Sequence, residues 1–229
     1  AGISDSMKAS ATEAASVVTA AIRQDSDWAV RRSSVRALAA LRSVAVDHMS
    51  TLRAAMQDTD ADVRHVVLDV LGELAEDDGE TDHVIDVVTC LRDPAFAENL
   101  ECRVEDEDSR TIIEAIKCLG RSSAWQYDEQ VETFIDHNNS EVRRWAVWCT
   151  GVLSAFRPDD EVKPRAAHVV SLMLDDPSAE VRKSAVLSLW KFGAVGHEYA
   201  SKVATCLQRD IDAGVRAEAA ELLGHMAVV

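Results

Sequence analysis

The sequence predicts an all-α fold, a right-handed superhelix of about six helical hairpins laid side by side. Three observations carry that expectation: a helix-length frame that recurs, a capping residue at a fixed place in each copy, and an apolar stripe at helical spacing. The clearest copy is Asp60–Leu74, DADVRHVVLDVLGEL. The same frame fits Asp27–Leu41, Asn139–Leu153, Ser178–Phe192 and Asp212–Met226, and more loosely Asp108–Ser122.

Each copy is anchored on Val30, Val63, Thr111, Val142, Val181 or Val215. Three residues earlier stand Asp27, Asp60, Asp108, Asn139, Ser178 and Asp212. All are N-cap types, whose side-chain oxygen accepts an otherwise orphaned N–H of the first turn, and an Ala there costs about 1 kcal/mol. Four after the anchor come Ser34, Val67, Ala115, Ala146, Ala185 and Ala219, mostly small; eight after come Leu38, Leu71, Leu119, Thr150, Leu189 and Leu223. Offsets of zero, four and eight lie on one face of a helix, so each copy is amphipathic. Successive anchors are 33, 48, 31, 39 and 34 residues apart. A step of that size holds two antiparallel helices and no independent core, so the hairpins must shelter one another.

In the D-x-x-V-R opening, the small residue four on and the following L-G, the chain resembles the HEAT-repeat family, an armadillo-like α-solenoid, over essentially its whole length. The resemblance implies that these helices are the second, inner helices of each hairpin and line the concave side. It also implies that Arg31, Arg64, Arg143, Arg182 and Arg216 form a ladder, each bonding the capping residue of a neighbouring repeat. The third unit departs, with Ile112 in that place and Arg110 displaced. The ladder is therefore expected to break there, making that junction a bend or hinge.

In order, the expected array is one solenoid over 1–229, with repeats near 5–43, 46–76, 81–122, 124–156, 163–193 and 196–227. The first outer helix, Asp5–Gln24, should turn Ala14, Val17, Val18, Ala21 and Ile22 inward before inner helix Asp27–Ser43. Outer helix Asp47–Gln57 then pairs with Asp60–Ala75, and an acidic turn, Glu76–Glu80, leads to outer helix Thr81–Arg92. Residues 93–107 are an insertion that accounts for the long step, read as a solvated acidic loop or a contact site. Outer helices Asp128–His137, Pro164–Leu174 and His197–Arg209 precede inner helices Asn139–Phe156, Ser178–Phe192 and Asp212–Ala227. Neither end has the polar face of a terminal cap, so the array is expected to continue in a longer protein or to dock on a partner.

Composition narrows function. Forty acidic against 24 basic residues give a net charge of −16 and a pI near 4.8, which disfavours nonspecific binding to nucleic acid or anionic membranes. No apolar run approaches the roughly 20 residues of a membrane span, and no signal peptide opens the chain. Five cysteines occur without a C-x-x-C. Cys118 and Cys149 share one inner-helix position, and Cys90 and Cys206 share one outer-helix place, as packing residues would; Cys102 alone falls in a loop. That pattern points to a reducing, intracellular compartment, cytoplasmic by default.

Function should lie on the inner-helix positions two, six and ten after each anchor. Seven of these are basic, namely Arg32, Arg36, Lys117, Arg121, Arg144, Lys183 and Lys191, against three acidic, Asp69, Glu73 and Glu221. With Trp148 and Leu187 they form a candidate track for an acidic protein segment, Trp148 being its aromatic anchor. Trp28, Trp125, Trp145 and Trp190 read as packing residues. Catalysis is not expected, nor is a cofactor, metal or small-molecule substrate: there is no phosphate-binding loop, nucleophile elbow or H-E-x-x-H. His197–Glu198 is the one His–Glu pair, too few for the iron site of the HEAT-like deoxyhypusine hydroxylases. Two other HEAT-like classes stay open, phycobilin lyases and DNA alkylpurine glycosylases, the latter disfavoured by the low pI.

Overall fold

Every element described by the computed structural model is helical, over residues 2–75, 109–121, 125–157 and 162–226. The chain divides into two units, Ala1–Ser122 and Ser123–Val229. The first holds α1 (Gly2–Gln24), α2 (Trp28–Ala40), α3 (Arg42–Ala45), α4 (Met49–Ala55), α5 (Ala61–Ala75) and α6 (Ser109–Arg121). The second holds α7 (Asp128–Glu132), α8 (Ser140–Phe156), α9 (Lys163–Leu172), α10 (Ala179–Lys191), α11 (Ala194–His197), α12 (Ala200–Arg209) and α13 (Ala213–Met226). Outer helix Thr81–Arg92, the insertion 93–107, Asp108, Cys90 and Cys102 lie outside the described residues.

Inner helices begin where the frame places them. Asp27 accepts from the Ala29 N–H at 2.8 Å, Asn139 from Glu141 at 2.9 Å, Asp60 from Asp62 at 2.9 Å and Asp212 from Val215 at 2.9 Å. Ser178 departs: its side chain makes no capping bond. The turn there is held instead by Asp176, whose Oδ1 accepts the Ser178 N–H at 2.7 Å.

Within the first unit α2 packs on α5 and α5 on α6; within the second α8 packs on α10 and α10 on α13. Their stripes meet as the spacing requires. Val63, Val67, Leu71, Val142, Ala146, Val181, Ala185, Leu189, Val215 and Ala219 have no exposed surface. Thr150 is also buried; its hydroxyl donates to the Ala146 carbonyl at 3.0 Å, so the polar atom costs little there. Position eight shifts in the last helix, where Leu222 is buried and Leu223 half-exposed. Gly151 lets α8 and α10 approach closely: a Cβ there would come within 2.6 Å of Ser188 Cβ. The contact is sealed by two hydroxyls of α10, Ser184 donating to the Arg144 carbonyl at 2.9 Å and Ser188 to that of Val147 at 3.0 Å.

Outer helices depart more. In α1 the buried residues are Ala15, Thr19 and Ile22, whereas Ala14 and Val17 face solvent. The face is rotated by about one residue from the expected one. The second outer helix is shortened to α4, preceded by a 3₁₀ turn at Val46–His48. Expected helix His197–Arg209 begins later, at Ala200 of α12, and is preceded by the short α11, which starts after Gly193, whose φ of +57° suits glycine. Cys118 and Cys149 are buried, burial pushing the Cys118 thiol up to about 12, whereas Cys206 is half-buried.

The arginine ladder exists, with a different acceptor. Arg31 clasps Asp58 through Nε and Nη2, both at 2.8 Å. Arg143 clasps Asp176 at 2.8 and 3.0 Å, and Arg182 clasps Asp210 at 2.7 and 2.8 Å. The acceptor is therefore not the N-cap residue of the next repeat but the aspartate two residues before it. These aspartates also accept the cap residue's own N–H, at 2.8 Å for Asp58–Asp60 and Asp210–Asp212. Bidentate, charge-assisted pairs of this kind are the stronger class of hydrogen bond. Burial pushes the Asp58 and Asp176 carboxyls up, but the arginine forks outweigh it and hold both below the usual range; at Asp210 the Arg182 fork is the leading cause of the same shift. Ile112 and His137 occupy the arginine and aspartate places at the end of the first unit and the start of the second.

Candidate functional site

The cap fixes each inner helix's rotation, so positions two, six and ten fall a third of a turn or more from the sealed stripe. None of the eighteen is buried. In the first unit Arg32, Arg36 and Glu73 are exposed, while His65, Asp69, Ile113, Lys117 and Arg121 are half-buried. In the second, Arg144, Trp148, Val152 and Lys183 are half-buried, and Leu187, Lys191, Glu221 and His225 are exposed.

Most cations of this face already have carboxylate company. Arg36 Nη2 lies 2.9 Å from Asp69 across α2 and α5. Lys117 donates to Glu114 at 2.7 Å, and His65 Nε2 stands 3.6 Å from the same oxygen. Burial pushes the Glu114 carboxyl up, yet the His65 and Lys117 contacts outweigh it and hold it below the ordinary range. Arg121 lies over Gly72, where a Cβ would come within 2.7 Å of its Nη1.

In the second unit Arg144 pairs with Glu141 at 3.1 Å and Lys183 with Glu180 at 2.8 Å, the latter 3.6 Å from Asp212 as well. Contact with Glu180 raises the Lys183 ammonium above its ordinary value. Asp62, Glu141 and Glu180 all stand just before an anchor, a column left out of the sequence count. Adding it makes the face one of mixed charge rather than plainly basic.

Aromatic groups gather on the second unit's face. Trp148 meets Trp145 edge-on, with ring centres 5.5 Å apart, and the Arg144 guanidinium sits 5.0 Å from the Trp145 ring centre. Trp190, read from sequence as a packing residue, is 54% exposed and stacks on His225 at 5.6 Å. Between α10 and α13 these two rings, with Val186, Leu187, Leu222, Glu218 and Glu221, line a cavity of about 110 Å³. Leu187 is 45% exposed at its mouth. Trp190, Leu222 and His225 thus adjoin Leu187, one of the residues singled out from sequence. The signal was available: Trp190 stands nine after its anchor, where the other repeats hold Ala39, Gly72, Gly120, Gly151 and Gly224, so a ring this large could not be enclosed.

Among the described residues no group of three or more His, Cys, Asp or Glu is placed to hold a metal, and no helix is long and apolar enough to cross a membrane.

A family model described as HEAT repeats matches residues 15–99, 96–190 and 134–224. Among curated proteins no match is found. Solved structures similar to this chain include an engineered protein at 18% identity and TM-score 0.66, covering 92% of this chain and 96% of that one. A designed armadillo repeat protein in complex with the peptide (KR)4 shares 16% identity at TM-score 0.62, over 91% of this chain and 98% of that one. An archaeal HEAT-like repeats protein from Thermococcus onnurineus shares 14% identity at TM-score 0.61, over 95% and 92%. At such identities the likeness shows the fold.

Proposed function

Because this chain belongs to the HEAT-repeat family, we propose that it is a protein-binding scaffold whose inner-helix face holds a segment of another protein. The observation that carries this reading is a contrast within single helices. Val181, Ala185 and Leu189 of α10 are sealed, while Lys183, Leu187, Trp190 and Lys191 of the same helix stay open to solvent. Trp148 and Arg144 repeat the arrangement on α8. Open Trp and Arg side chains on rigid helices are the residue types that anchor protein partners.

The partner segment we infer is extended and carries acidic and apolar residues in alternation. Its carboxylates take over Arg144 and Lys183 from Glu141 and Glu180, whose one-turn pairs at the solvent edge are weak and readily exchanged. Its apolar side chains land on Trp148 and Leu187 and enter the cavity beside Trp190. That the designed armadillo protein was solved with a short peptide supports a peptide as the kind of guest. In the first unit, taken by itself, Arg32, Arg36, Lys117 and Arg121 offer cations of the same kind on α2 and α6.

Fluorescence anisotropy with a labelled peptide of alternating glutamate and leucine tests the proposal at low salt. Reversing Arg144→Glu and Lys183→Glu together should weaken binding about tenfold or more, and Leu187→Asn, which adds no charge, should weaken it without changing the salt slope. Unchanged affinity in the double reversal rejects the track. Tighter binding of duplex DNA with a steep salt dependence, or of a bilin with a shifted visible band, would replace it.

A further inference from the structure

The residue three after an anchor meets the preceding inner helix, as Ser184 of α10 meets the Arg144 carbonyl of α8. In α6 that residue is Glu114, which is buried beside two basic groups. Lys117 Nζ lies 2.7 Å from its Oε1, and His65 Nε2 of α5 lies 3.6 Å from the same oxygen. One turn on from Lys117, Arg121 lies over Gly72 of α5. Side chains of this chain thus fill the seam between α5 and α6, and the carboxylate within it has an ammonium at hand.

The seam between α10 and α13 repeats that frame with its cations replaced. Glu218 holds the place of Glu114, but Glu221 stands where Lys117 does, His225 where Arg121 does and Trp190 where Gly72 does. Lys183 takes the place of His65, yet it is turned to Glu180 and Asp212, at 2.8 and 3.6 Å. Half-buried Glu218 is therefore left with no cation beside it among the described residues. Glu221 has the His225 imidazole, at 3.9 Å. Between the helices remains the cavity of about 110 Å³, lined by Leu187, Trp190 and Leu222 and by both carboxylates.

That lining selects its guest. A side chain apolar to its tip would strip water from Glu218 without replacing the lost hydrogen bonds, and an acidic one would be repelled. A primary ammonium on an aliphatic stem meets both demands: its methylenes lie on Leu187, Leu222 and the Trp190 ring, and its charge reaches the carboxylates. We propose that this cavity is a subsite for a lysine of the bound segment, its ammonium paired with Glu218 and Glu221 as that of Lys117 is paired with Glu114. The inference rests on the reading of this face as the one that holds a protein segment. It adds that the apolar stem entering beside Trp190 ends in a cation.

Two probes test the subsite, the first without any peptide. n-Butylammonium, the tip of a lysine side chain, is titrated into the full chain while NMR follows the Trp190 indole N–H, assigned with Trp190→Phe. The signal should shift saturably with n-butylammonium and not with n-butanol. Glu218→Gln combined with Glu221→Gln should remove the response, with helicity by circular dichroism unchanged. The second probe is the alternating glutamate–leucine peptide with one central leucine replaced by lysine or by uncharged norleucine. The lysine peptide should bind about tenfold more tightly than the norleucine peptide, and the double substitution should erase the difference. No response to n-butylammonium, equal affinity of the two peptides, or a lysine preference that survives the double substitution overturns the proposal. A response to n-butylammonium with no binding of any peptide overturns instead the protein-segment reading, and the lysine with it, while keeping the ammonium site.

Discussion

Helices α10 and α13 are two readings of one frame, and among the described residues only α10 has an inner-helix neighbour on each side. In α10 the anchor Val181, the fifth-place Val186 and the ladder Arg182 are all buried or clasped; in α13 Val215 is sealed but Ala220 and Gly224 are open, and no carboxylate among the described residues clasps Arg216. The amino acids of the frame are therefore not what makes its interior. Burial at any position is conferred by the next hairpin, and an identical residue is structural in one copy and available in another.

The sharpest way to break this contrast is at the ladder. Arg182→Ala strands a half-buried Asp210 and should destabilise by about 1.5–3 kcal/mol in urea unfolding, while Arg216→Ala should cost less than about 1 kcal/mol. Equal losses would mean that the rung contributes nothing beyond the carbonyl bonds both arginines make. Acid probes the same rungs. Asp58, Asp176 and Asp210 titrate below their ordinary range when folded. Their stabilisation is complete above the unfolded carboxylate value near 4 and is lost as pH falls through the lower folded values. Arg182→Ala should flatten that part of the stability–pH curve.

Next in size is the glycine at nine after the anchor. Gly151→Ala pushes a methyl into Ser188 and should destabilise by about 1–3 kcal/mol. Gly224→Ala meets open space within a helix and should stabilise by about 0.5–1 kcal/mol, a change of sign that thermal melts can read. Smallest is the cap. Asn139→Ala should cost about 1 kcal/mol, whereas Ser178→Ala, with no capping bond to lose, should fall within about 0.5 kcal/mol of the parent.

Inner helices were legible because cap, anchor and stripe repeat at helical spacing and every copy repeats them together. The rung acceptor was legible too, in the D-x-D of Asp25–Asp27, Asp58–Asp60 and Asp210–Asp212, but one aspartate of each pair was enough to explain a cap and the other was passed over. Outer helices carried no comparable frame, and their lengths answer to the turns around them, as the 3₁₀ start before α4 and the break after Gly193 show. The accessible positions of the inner face followed from periodicity alone. Their charge balance did not, because Glu141 and Glu180 reach Arg144 and Lys183 from one turn away.

The two hydroxyls that α10 hands to the backbone of α8 have a mechanical consequence. Ser184 and Ser188 grip carbonyls three residues apart, at Arg144 and Val147, so sliding one helix along the other by a single residue unlatches both at once. In α13 the corresponding places hold Glu218 and Leu222, which carry no such latch. The α8–α10 contact therefore resists sliding through its latched backbone, whereas α10 and α13 are held in register by the Arg182–Asp210 clasp and the Trp190–His225 stack.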